Sequence, residues 1–166
     1  MDKLMILPAT YDGDLNTIAE LAEDIWNEHY TEIIGVEQVN YMINKFQSYE
    51  ALVDQTVNKG FHYFIIYYDN LVVGYFGVLY HEDHLFLSKF YLLKEARGHG
   101  IATKTFEYIK KLSKDNQLSE IRLTCNKYNQ NSLAFYHHLG FIKIGSEISD
   151  IGNGFVMDDF ILSYNL

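Results

Sequence analysis

Two glycines either side of a histidine, in Arg97-Gly98-His99-Gly100-Ile101-Ala102-Thr103, stand between a strand that runs from about His84 to Leu92 and a helix that reaches about Asn116. No other feature constrains the chain as much. A strand, a tight glycine turn and a helix amino terminus bring unpaired backbone N–H groups and the positive helix end to one place, which makes an anion site. Gly98 and Gly100 let the main chain approach an oxygen-rich ligand with no Cβ in the way, and Arg97 adds a fixed charge suited to phosphate. The same glycines would also serve simply to turn a strand into a helix.

The flanking text sets the surroundings of that turn. Lys3 to Leu7 reads as a first strand, and Asp12 or Asp14 caps a helix whose apolar residues Leu15, Ile18, Ala19, Ala22, Ile25 and Trp26 fall at helical spacing. A second helix follows Gly35, with Val36, Val39, Ile43 and Phe46 on one face. Phe61–Tyr68 and Leu71–Tyr80 form a hairpin across Asp69-Asn70, and the strand from His84 extends it to an antiparallel meander of three. Glu120 to Cys125 is the next strand, Asn129 to Leu139 a helix ending at Gly140, and Phe141–Ile144 and Phe155–Ser163 are two closing strands. With one proline, no repeat and no linker-like tract, residues 1–166 read as a single domain, long enough to bury a core unaided.

Charge and cysteine usage narrow the partners. Thirteen Lys+Arg against twenty-two Asp+Glu give a formal net charge of −9, which repels phosphate backbones, argues against nucleic acid as a partner and attracts cationic small molecules. The single cysteine, Cys125, excludes a disulfide framework and suits a reducing compartment, so a cytoplasmic location is expected. It lies in an apolar strand and reads as a buried thiol rather than a nucleophile. No apolar run approaches the roughly 20 residues that span a bilayer, and Met1-Asp2-Lys3-Leu4 lacks the basic and apolar regions of a signal peptide, so no membrane association is expected. His81-Glu82-Asp83-His84 has the wrong interval for a helical His-Glu-x-x-His zinc site and sits in a turn, so no metal is expected.

Three classes of glycine loop bind phosphate groups. A nucleotide P-loop needs Gly-Lys-Ser/Thr, and here Ile101 follows Gly100. A dinucleotide site needs a third glycine, where Ala102 or Thr103 stands, and an acidic residue ending the next strand, which Glu120 instead begins. The third class fits. Arg97-Gly98-His99-Gly100-Ile101-Ala102 resembles the Arg/Gln-x-x-Gly-x-Gly/Ala signature of the GNAT N-acetyltransferases. A second segment, Asn129-Gln130-Asn131-Ser132-Leu133-Ala134-Phe135-Tyr136-His137-His138-Leu139-Gly140-Phe141, is similar to that family's Asn, Tyr and Gly-Phe pattern in the same order and at the same interval.

The resemblance implies an α+β domain, a three-layer fold with a mixed, mostly antiparallel sheet of six or seven strands and helices on both faces. It implies acetyl-CoA as cosubstrate, with the loop from Arg97 through Gly98, His99, Gly100, Ile101 and Ala102 to Thr103 on the pyrophosphate. The strand end Phe90, Tyr91 and Leu92 would pair with the pantetheine arm, backbone amides near Leu92 would polarise the thioester carbonyl, and Asn129 would bond the arm from the other side. As a residue at a helix start, Asn129 is equally suited to be an N-cap. Tyr136 takes the family's catalytic position, where a phenol can donate to the departing thiolate. No base stands out among Glu28, His29, Glu82, His84 and Tyr91.

The resemblance assigns acceptor choice to the first two helices and the last strands. Trp26, His29 and Tyr30, with Tyr41 and Tyr49, make that region aromatic, as core or as a wall for a cation. Residues 150–159 read as a flexible acidic segment similar to that of polyamine acetyltransferase-like members, and with Glu28, Glu32 and Glu37 they offer negative charge to a cationic amine. The expected acceptor is a small-molecule amine, a polyamine in one reading. A protein or peptide acceptor and a noncatalytic acyl-CoA-binding module are the alternatives, and a homodimer is a family-level expectation.

Overall fold

The computed structural model describes residues 3–10 and 12–166. Seven strands, β1 (Leu4–Pro8), β2 (Phe61–Tyr68), β3 (Leu71–Tyr80), β4 (Leu85–Leu92), β5 (Glu120–Asn126), β6 (Ile142–Gly152) and β7 (Phe155–Asn165), form one sheet in the order β1-β2-β3-β4-β5-β7-β6. Every neighbouring pair is antiparallel except β4 and β5. These two run parallel and pair only at Leu85↔Ile121 and Phe86↔Arg122. Beyond those residues they part, so the later halves of β4 and β5 line a gap with backbone polar groups that have no strand opposite.

A register shift between Gly77 and Val78 makes Ser88 an extra residue in β4. Leu87 and, past the bulge, Leu92 pack into one core, while Tyr91 packs into the other. The helices α1 (Asp12–Ile34), α2 (Val36–Met42, running on into a π turn at Ile43–Gln47) and α3 (Tyr49–Asn58) cover one face of the sheet, over Tyr63, Ile65 and Tyr75. On the opposite face α4 (Ile101–Asp115) and α5 (Gln130–Leu139) pack over Phe64, Ile66, Phe76 and Val78. This is the expected mixed, mostly antiparallel sheet with helices on both faces.

Local chemistry explains most boundaries. Asp69 and Asn70 turn the β2–β3 hairpin with φ of 52° and 65°, the left-handed pair that matches strand twist. The Asp14 carboxylate accepts the Thr10 N–H at 3.1 Å ahead of α1, and the side chain of Asp12, the other expected cap, lies outside the described residues.

Two expectations need correction. Helix α3 has no counterpart in the sequence reading; Ser48 caps it, accepting the Ala51 N–H at 3.2 Å. Residues 150–159 are a strand–turn–strand hairpin rather than a flexible loop, turning at Asn153-Gly154 with φ of 54° and 79°. Helix α2 braces that hairpin, with Gln38 donating to the Val156 carbonyl at 2.8 Å and Tyr41 donating to that of Ile151 at 2.7 Å. Among the described residues no helix is long and apolar enough to cross a membrane.

Candidate active site

The glycine turn opens into the gap between β4 and β5. Gly100, at φ 75°, precedes α4 without any side-chain cap, and the first helical bond in this turn runs from Lys104 N–H to Gly100 O at 3.1 Å. The N–H groups of Ile101, Ala102 and Thr103 therefore have no helical acceptor, and no acidic residue sits in the first turn to neutralise the helix end. A Cβ added at Gly98 or Gly100 would meet nothing within 4 Å, so the backbone faces open space. Arg97 reaches back with Nη2 to donate to Leu92 O at 3.1 Å, which holds its charge across the end of β4.

Phe90, Tyr91 and Leu92 line a cavity of about 450 Å3 together with Arg97, Gly98, Gly100 and residues 101–103. His99 does not: it is exposed and stacks toward Tyr68, with ring centroids 6.3 Å apart. Asn129 lines a different cavity, and its side chain is engaged by the protein. Its Oδ1 caps α5 by accepting the Ser132 N–H at 3.3 Å, while Nδ2 lies 3.1 Å from His29 Nε2 and 3.4 Å from the Tyr30 hydroxyl. Of its two readings, the N-cap is the one the structure displays; Asn131 and Ser132, one turn further on, face the first cavity instead.

The second cavity, about 360 Å3, lies on the α1–α3 side of the gap. Trp26, Tyr30, Lys89, Cys125 and Asp159 contribute to its wall. Phe90, Tyr91, Ser132 and Tyr136 line both cavities. Tyr136 thus stands where the two spaces adjoin. Burial pushes its phenol far above the ordinary range, so it is a protonated donor at neutral pH. Burial likewise pushes Tyr30 up to about 12 and Cys125 up to about 12, which leaves the thiol un-ionised and a poor nucleophile.

Trp26 and Tyr30 form one aromatic wall of the second cavity, with ring centroids 4.4 Å apart and Trp26 edge-on to Tyr91 at 5.5 Å. His29 faces the first cavity, and burial, then the Arg97 charge, hold its imidazole below the ordinary value. Of the other candidate bases, Tyr91 lines both cavities, whereas Glu28, Glu82 and His84 line neither. Lys89 is not among the residues that the sequence marks for the site, and Asp159 is marked there only as one acid of the segment 150–159. Lys89 is a charged residue inside an apolar strand, and Asp159 is one of two adjacent acids in β7. Among the described residues no group of three or more His, Cys, Asp or Glu could hold a metal.

The model of the Acetyltransferase (GNAT) family matches residues 18–141, about three quarters of the chain. Over 149 residues the sequence is 26% identical to the spermidine N(1)-acetyltransferase of Thermoplasma acidophilum, covering 87% of this chain and 90% of that protein. The fold is similar to a PaiA N-acetyltransferase from Thermoplasma acidophilum solved in complex with coenzyme A, with a TM-score of 0.78 at 22% identity and coverage of 98% and 99% of the two chains. A GCN5-related N-acetyltransferase from Rhodopseudomonas palustris gives a TM-score of 0.81 at 14% identity, covering 100% of this chain and 98% of the other.

Proposed function

Since the chain belongs to the Acetyltransferase (GNAT) family, we propose that it transfers the acetyl group of acetyl-CoA to a primary amine, by direct attack with both substrates bound. The observation that carries this reading is the pair of cavities that share Tyr136 at the point where β4 and β5 part. Coenzyme A fits the first cavity chemically. The uncapped start of α4 and the Arg97 guanidinium suit a pyrophosphate, and the unpaired edge of β4 suits the amide groups of a pantetheine arm.

When bound, acetyl-CoA supplies the thioester whose acyl carbon the amine attacks. The chain contributes positioning and electrostatics: backbone N–H groups from Ile101 to Thr103 hold the phosphates, and the end of β4 near Leu92 orients the arm and polarises the carbonyl. The Tyr136 hydroxyl, held protonated by its burial, donates to the departing sulfur.

For the acceptor we favour a small cationic amine, with polyamines as the first class to assay. The net charge of −9 draws cations, and the Thermoplasma relative is named a spermidine acetyltransferase. The test is CoA release from acetyl-CoA across polyamines, aminoglycosides, amino acids and short peptides. Turnover with one amine class supports the reading. Acetyl-CoA binding without turnover on any acceptor would instead leave a binding module.

A further inference from the structure

We propose that Asp159 is the acceptor-amine site: its carboxylate receives the incoming ammonium in the second cavity and takes the proton that the nitrogen must lose before it attacks. This inference rests on the amine-acceptor reading above.

Three observations converge on this residue. Asp159 lines the cavity that also contains Tyr136, and among the described residues no other Asp or Glu lines it. Its Oδ1 is buried and has no hydrogen-bond partner. The nearby cation gives it no hydrogen bond: Lys127 pairs with the adjacent Asp158 at 2.8 Å and acts on Asp159 only through its charge. A buried carboxylate oxygen without a donor is costly, and an ammonium entering the cavity would supply both the donor and the countercharge.

The groups around Asp159 leave it basic enough for the task. It lies in the sheet between Asn126 of β5 and Glu147 of β6. Burial, then the charges of Glu147 and Asp158, push its carboxyl up to about 6, with Lys127 opposing them; Tyr30 and Cys125, whose burial keeps them neutral, complete the surroundings. Lys89 cannot take this role as it stands, since Phe46 O, Gln55 Oε1 and the Tyr63 hydroxyl already occupy its ammonium.

The protons balance. One moves from the ammonium nitrogen to Asp159, and the freed lone pair forms the amide C–N bond as the C–S bond breaks. The sulfur receives the Tyr136 proton, and the phenolate recovers one from the nitrogen, which sheds its second on becoming an amide. Asp159 then releases its proton to water.

The experiment compares wild type, Asp159→Asn and Asp159→Glu in CoA release with spermidine and the amine panel across pH 5 to 9, alongside acetyl-CoA titrations and thermal melts. In Asp159→Asn, kcat/KM for the amine is expected to fall about 100-fold or more, and the acidic limb near pH 6 should vanish. Acetyl-CoA affinity should not change, and Asp159→Glu should recover part of the rate. An Asn variant with the wild-type rate and limb overturns the assignment, as does one that loses acetyl-CoA binding and melting temperature together with activity. If the wild type binds acetyl-CoA but acetylates no amine, the amine-acceptor reading falls and this assignment falls with it. Loss confined to the variant separates the two cases.

Discussion

Asn129 Nδ2 lies 3.1 Å from His29 Nε2, so a side chain at the start of α5 fastens that helix to the end of α1 across the mouth of the gap. The orientation of the amide follows from its other end, where Oδ1 accepts the Ser132 N–H and Nδ2 must therefore be the donor. His29 Nε2 is then the acceptor. An unprotonated ring nitrogen agrees with an imidazole held below its ordinary pKa by burial and by Arg97.

Replacing Asn129 should separate capping from ligand contact. Asn129→Ala removes the cap and leaves buried partners unsatisfied, for a loss of about 1–2 kcal/mol in denaturant unfolding. Asn129→Ser keeps a capping oxygen without burying a carboxylate against the His29 Nε2 acceptor, and should lose less. If Asn129 instead held the pantetheine arm directly, both variants would weaken acetyl-CoA binding alike while unfolding stayed near wild type; calorimetric titration beside the unfolding curves distinguishes the two.

Gly100 offers a second separation, between backbone strain and occupied space. Any L residue at φ 75° costs roughly 1–2 kcal/mol, and the open space beside Gly100 gives no further steric penalty in the free protein. Gly100→Ala and Gly100→Trp should therefore melt at similar, lowered temperatures. Only the indole should fill the phosphate end of the cavity, raising the Kd for CoA by about tenfold or more beyond the Ala variant, or about 1.4 kcal/mol. Equal CoA affinity in the two would remove this loop from the cofactor site.

The same contrast between local and tertiary information explains what could be read in advance. The turn at residues 97–103 and the register of Tyr136 are local patterns, and the two glycines have positive φ, as a turn of that type requires. Helix α3 escaped because its buried face includes Gln55, a polar residue satisfied by Phe46 O at 3.0 Å, while the apolar Val57 is 73% exposed. In the hairpin at 150–159 the second arm, from Phe155, was legible, and the first arm escaped, since β6 runs on to Gly152 where the sequence ends that strand at Ile144. In the fold Asp158 pairs with Lys127 and Asp159 turns to the cavity, contacts that join distant parts of the chain. The splitting of β4 from β5 depends on which strands pair and for how long, and no local pattern encodes it.

Tyr136→Phe tests the donor. The ring packs against Phe141 with centroids 5.5 Å apart and belongs to the core beneath α5, and Phe preserves those contacts. Stability and acetyl-CoA affinity should stay near wild type. Turnover should fall by about 100-fold, the usual scale for losing one general acid, which stopped-flow or steady-state CoA release would measure. A loss in acetyl-CoA affinity matching the loss in turnover would assign the Tyr136 hydroxyl to binding the cosubstrate rather than to proton donation.

Lys89 gives a pH prediction that needs no ligand. Its ammonium is buried against Phe46 O at 3.0 Å, Gln55 Oε1 at 2.8 Å and the Tyr63 hydroxyl, with none of these an anion. Burial lowers its pKa from 10.5 to about 7. Between those two values the unfolded chain holds a proton that the native state has shed, so the contribution to stability rises with pH across that window and is least favourable at and below pH 7. Lys89→Met removes the titrating group and leaves its former acceptors bonded to one another, Gln55 Nε2 donating to Phe46 O at 3.0 Å and the Tyr63 hydroxyl donating to Gln55 Oε1, so the cost of losing the ammonium's bonds does not change with pH. The difference in unfolding free energy between wild type and Lys89→Met should therefore shift steadily toward wild type as pH is raised from 7 to 10, in denaturant melts at matched ionic strength. Parallel curves would mean that Lys89 stays charged in the native protein throughout that range, and that its three acceptors stabilise the ammonium well enough to offset its burial.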